Sequence, residues 1–91
     1  MKLLIISKLH VGESAETALT RYLESPDRNP PPGVKRLGRW FSASFDTSYV
    51  FVETPDLALL SGWLRQWTEH GAHEIIPVLD DADLAKTLPD K

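Results

Sequence analysis

No cysteine occurs anywhere in the chain. Disulfides, thiolate nucleophiles, iron–sulfur clusters and cysteine-type zinc sites are excluded together, because each needs the sulfur. A surplus of positive charge is missing too, since the formal net charge is −3. Binding to a phosphate backbone draws on clustered Lys and Arg, so no nucleic acid is expected as a partner. Long hydrophobic runs are also absent. The opening MKLLIIS is apolar only as far as Ile6, which is too short for a signal-peptide core and far too short to span a bilayer. These absences lead to the expectation of a cytoplasmic protein that engages no membrane and carries no cofactor.

What is present is ordinary for a globular chain: 42% hydrophobic and 25% charged residues in a length of 91. That length fits one domain over residues 1–91. A chain of this size buries only roughly 60–65% of the surface its unfolded form exposes, so association with a second copy is a reasonable expectation. The aromatic residues are unevenly placed. The stretch Leu37–Trp67 holds all three tryptophans and all three phenylalanines.

Taken in order, Lys2 to His10 reads as a strand, with Leu3, Leu4, Ile5 and Ile6 continuously apolar as in a strand covered on both faces. After Gly12, Glu13 to Glu24 carries Ala15, Ala18, Leu19, Tyr22 and Leu23 at helical spacing, with Glu13 and Glu16 where the helix dipole favours negative charge. Ser25 to Gly33 has four prolines in nine residues and reads as an extended connector. Val34–Ala43 and Tyr49–Glu53 read as strands joined by a turn at Ser44–Ser48. Thr54-Pro55-Asp56 is a helix start, with Thr54 as the expected cap. Leu57, Leu60, Trp63, Leu64 and Trp67 follow on one helical face, and Gly71 is the expected stop. Glu74 to Leu79 is a strand that Pro77 confines to a sheet edge. Asp80 or Asp81 then caps a short last helix, with Leu84 and Leu88 expected to face inward.

The resulting fold class is α+β: a ferredoxin-like β-α-β-β-α-β order, an antiparallel four-stranded sheet in the order 4-1-3-2, and a short C-terminal helix. Both main helices cover one face. On the third strand Tyr49 and Phe51 take one face and Val50 and Val52 the other. On the second, Trp40 takes one face and Leu37, Phe41 and Ala43 the other. The face without helices is therefore apolar as well and requires a cover. A second copy of the same face is the economical one, so a homodimer through the open sheet faces is expected.

The residues Gly38-Arg39-Trp40, Val52-Glu53-Thr54 with Asp56, then Leu60, Trp63 and Trp67, and Ile76-Pro77-Val78 run in an order and spacing that resembles the bacterial family called domain of unknown function 3303. The likeness covers nearly the whole chain. It implies the dimeric α/β-barrel superfamily, which includes cofactor-independent monooxygenases and isomerases, and it supplies no catalytic residues.

Candidate chemistry follows from placement. His10 closes the first strand while His73 and Glu74 open the fourth, so they share one end of the sheet, with His70 nearby. An imidazole there suits acid–base work. Glu53 is a candidate general base if its face is covered. His10, Glu53 and His73 are therefore the candidate catalytic residues. His70-Gly-Ala-His73 lacks the helical spacing of a metal-binding pair, so no metal is expected. Trp40, Tyr49, Trp63 and Trp67 are candidate ligand-binding aromatics. Arg39 suits an anionic group, although alternation points Arg39 and Trp40 to opposite faces. Three functions compete: a homodimeric domain binding a small apolar molecule between sheet and helices, a cofactor-independent oxygenase or isomerase using a His or Glu base, and a purely structural dimer.

Overall fold

Four strands pair into one antiparallel sheet in the computed structural model, which describes residues 1–10, 12, 14–25, 28–68 and 71–89. The elements are β1 (Lys2–Leu9), α1 (Ala15–Glu24), β2 (Lys35–Phe41), β3 (Thr47–Glu53), α2 (Leu57–Arg65), β4 (Gly71–Val78) and α3 (Asp81–Ala85). The sheet runs β2-β3-β1-β4, the ferredoxin-like arrangement, with β4 at the edge as Pro77 requires.

Register divides the side chains between two faces. In the central pair Leu3 lies opposite Val52 and Ile5 opposite Val50. These four, with Leu60 and Leu64 of α2 and Val34, make the buried core, and Leu59, Trp63 and Ile75 pack against it. The alternate residues Leu4, Ile6, Phe51 and Ile76 are half-buried on the other face, where Trp40 and Tyr49 are 56% and 38% exposed. Trp40 meets Phe51 edge to face at 5.9 Å. No helix covers this side.

Several boundaries differ from the sequence expectations, each for a local reason. The helix expected from Glu13 begins at Ala15, because the Ser14 hydroxyl accepts from the Thr17 amide and makes Ser14 the cap; Glu13 lies outside the described residues. The cap of α2 is Asp56 rather than Thr54. Its carboxylate accepts from the amides of Ala58 and Leu59 at 2.9 and 3.3 Å. Thr54 is buried instead, its hydroxyl accepting from the Asp56 amide at 3.1 Å. α2 ends at Arg65, and Gly71 opens β4. There the strands approach so closely that a Cβ would collide with the Lys8 carbonyl. That contact explains a glycine at the start of a strand.

In β2 the register skips a residue between Arg36, opposite Val52, and Gly38, opposite Phe51. Leu37, expected beside Phe41, is the extra residue of a bulge and is 46% exposed. The bulge puts Arg36 and Arg39 on the same, helix-covered face as Phe41. At the C-terminus Asp80 and Asp83 form a reciprocal capping box, and Lys2 pairs with Asp80 at 2.8 Å. Leu84 and Leu88, expected to face inward, are 54% and 68% exposed. α3 has five residues and no buried position, so among the described residues its apolar side is left uncovered.

Candidate ligand cavity

The helix-covered face of the sheet is filled at one end and hollow at the other. Leu3, Ile5, Val52 and Leu60 fill the first end completely. At the second end the register aligns small residues: Ser7 opposite Ser48 and His73, with Leu9 opposite Gly71. Above them α1 contributes Ala15 and Ala18 and buries none of its residues. Small side chains on both layers leave a cavity of about 140 Å³. It is lined by Tyr22 of α1 and Trp67, whose rings lie 5.5 Å apart, and by Phe41, Val50, Trp63 and Leu64.

The hairpin between β2 and β3 borders the cavity with Phe45, Asp46 and Thr47. Phe45 is held at φ 62, in the left-handed region that costs a bulky residue free energy. Its turn is tied by the Phe45 amide donating to the Ser42 carbonyl at 2.9 Å. Asp46 adds a fan of contacts, accepting hydroxyl hydrogens from Ser42, Ser44 and Thr47 at 3.0, 2.8 and 3.1 Å. Those hydrogen bonds hold its carboxyl below the usual carboxylate range.

Two polar atoms in the lining are enclosed without a hydrogen-bond partner among the described residues: Arg39 Nε and His73 Nε2. Such an atom costs about 1–3 kcal/mol when nothing replaces its water. Arg39 stacks its guanidinium carbon 3.5 Å from the Tyr22 ring centre and 4.4 Å from that of Phe41. Burial pushes its pKa down to about 10, so at neutral pH it remains a cation. Arg36 differs in being engaged. It donates to the Tyr22 hydroxyl, the Arg28 carbonyl and Asn29 Oδ1 at 3.3–3.4 Å.

His73 is half-buried, with Nδ1 2.7 Å from the Ser7 hydroxyl. Burial lowers its pKa, and His10 adds to the shift; the Leu64 carbonyl opposes it, without a well-formed hydrogen bond to Nε2. The imidazole is therefore neutral at pH 7.

The structure separates the sequence candidates. His73, Trp63 and Trp67 line the cavity. His10 lies outside its lining, exposed, with Nε2 2.8 Å from the Thr68 carbonyl oxygen. Glu53 ends β3 exposed, in register with Lys2 and Lys35 on the uncovered face, so it does not share a site with His73. Trp40 and Tyr49 lie on that same uncovered face. His70 and Glu69 fall outside the described residues. Among the described residues, no cluster of three His, Asp or Glu has the grouping of a metal site. Sequence reasoning passed over Tyr22 and Ser7, and it set Arg39 aside for facing away from Trp40. For Arg39 the signal is Gly38, a glycine inside a strand that marks the bulge bringing Arg36 and Arg39 onto one face; nothing local singles out Tyr22 or Ser7.

The family model described as Domain of unknown function (DUF3303) matches residues 1–91. Among solved structures the chain is similar to Rv0793 from Mycobacterium tuberculosis, at 18% identity and a TM-score of 0.52, over 90% of this chain and 99% of that one. At that identity the likeness speaks to the fold alone. No curated protein matches the chain.

Proposed function

The chain belongs to the domain of unknown function 3303 family, and we propose that it is a cytoplasmic homodimeric domain that binds a small, largely apolar molecule in the cavity between sheet and helices. One observation carries the reading. Both enclosed, unpartnered side-chain atoms among the described residues belong to the lining of a single aromatic-walled space. A folded chain does not ordinarily keep two orphaned polar atoms beside an empty volume unless something else completes them. The volume of 140 Å³ is close to the ~150 Å³ of a cavity that admits benzene. The dimer is proposed from the uncovered sheet face, where Leu4, Ile6, Trp40, Tyr49, Phe51 and Ile76 form an apolar surface of the kind that marks an interface.

The test is a titration with toluene followed by tryptophan fluorescence and by calorimetry. Wild type binds toluene, and Ala18→Leu, which fills the space from α1, removes binding while unfolding no earlier than wild type. Equal binding by both proteins contradicts the reading.

A second reading has one specific observation behind it: a neutral imidazole, His73, in the cavity wall. It supports a cofactor-independent isomerase or oxygenase with His73 as base. We rank it second because Glu53 and His10 stand outside the lining, and the one carboxylate in it, Asp46, is taken up by the hydroxyls of Ser42, Ser44 and Thr47. Under the binding reading, His73→Gln keeps toluene affinity within about threefold, because toluene has no polar atom with which to engage that side chain.

A further inference from the structure

We propose that the ligand of this cavity is a small aromatic monocarboxylate whose carboxylate seats on the Arg39 guanidinium. The proposal rests on the ligand-binding reading above and adds the charge and chemical class of the molecule.

Arg39 lacks what a half-buried cation ordinarily keeps. It has no ion pair and no hydrogen bond among the described residues, and its Nε is enclosed. The rings of Tyr22 and Phe41 stabilise the cation through their faces, yet a ring face leaves the N–H groups at the guanidinium edge unsatisfied. The natural complement of a guanidinium edge is a carboxylate accepting two parallel hydrogen bonds.

Charge distribution points the same way. The chain carries −3 overall, but the lining holds Lys8, Arg36 and Arg39 against the single carboxylate of Asp46. Asp46 is exposed at the hairpin and committed to three hydroxyls, and Arg36 is committed to Tyr22, Arg28 and Asn29. Lys8 is exposed and alternates with Leu4 and Ile6 onto the uncovered face of β1, which leaves Arg39 as the cation with unmet demand. A phosphate dianion fits less well, because one guanidinium edge cannot replace the hydration of two charges. The remaining lining is aromatic and aliphatic, and includes Trp63 and Trp67, the latter 5.5 Å from the Tyr22 ring on which Arg39 stacks. About 140 Å³ suits one six-membered ring with a short substituent.

The experiment compares benzoate with benzamide, which has nearly the same shape and no charge, by calorimetric titration of the wild-type protein. Benzoate is expected to bind about tenfold tighter or more, the value of one charge-assisted pair. In Arg39→Gln that preference disappears, while benzamide affinity changes by less than about threefold. Arg39→Lys serves beside it should the Gln variant fold poorly, and it retains only part of the preference because a point charge replaces the fork. Equal affinity of wild type for the two probes, or a benzoate preference that survives Arg39→Gln, overturns the carboxylate assignment and leaves the cavity reading standing. Binding of neither probe overturns both.

Discussion

Phe45 and His73 show how single residues are set by the cavity they border. A phenylalanine in left-handed backbone, 61% exposed, is a poor choice for stability alone. Phe45→Gly relieves the conformation and is expected to raise stability by about 0.5–1 kcal/mol in urea denaturation, while weakening benzoate binding by removing an aromatic wall. A variant less stable than wild type would show that the ring's contacts outweigh the strain. His73 has its pKa lowered by burial. The unfolded chain therefore takes up a proton before the native one does. Its contribution is neutral above the ordinary histidine range, and stability falls as pH drops through that range toward the folded value. Repeating the denaturation at pH 7 and pH 5, with His10 left in place, should show a loss that shrinks in His73→Gln. An unchanged pH dependence in the variant would assign the loss to carboxylates elsewhere.

At the scale of elements, α2 is held by its cap and by two buried leucines, Leu60 and Leu64. Asp56→Ala should cost about 1 kcal/mol in denaturation experiments, since its carboxylate takes two first-turn amides. A cost near zero would return the cap to Thr54. Gly71→Ala should cost more than this, because the clash is with backbone at Lys8 rather than with a flexible side chain. Much at this scale was legible in the sequence. The alternation of apolar residues and the proline in β4 were enough for the element order and the sheet order, because both follow from local chemistry. The cap of α2 lies two residues beyond the expected Thr54 because Asp56 is a neighbour of similar capping strength, and α1 begins two residues late because Ser14 caps it. The cavity was not legible. It arises where Ser7, Ser48, Gly71 and Ala18 come together, which depends on strand register and helix placement, while the bulge that sets Arg36 and Arg39 on the same face falls at Leu37, which reads locally as an ordinary strand residue. Trp63 and Trp67 were visible as aromatics on one helical face, but nothing local distinguishes a filled core from a hollow one.

For the whole molecule, shape and exposed surface point toward a partner. The radius of gyration is 15.1 Å and the longest extent 55 Å, against about 12 Å expected for a compact chain of this length. The uncovered sheet face and the exposed Leu79, Leu84 and Leu88 account for apolar area that one copy leaves in water. Sedimentation velocity at micromolar concentration should give a dimer, and Ile6→Glu or Trp40→Glu should give a folded monomer by placing a charge in the interface. Monomeric wild type would contradict the dimer and leave the cavity untouched, because the two lie on opposite faces of one sheet.

That separation also provides the most direct test of the hollow end as a ligand site, since two of the three tryptophans border it and the third does not. The three indole N–H resonances, assigned by single Trp→Phe variants, can be followed by NMR during a benzoate titration. The account predicts that the Trp63 and Trp67 signals move together along one saturating curve while Trp40 stays in place. Movement of Trp40 alone, or no movement of the other two, would contradict it.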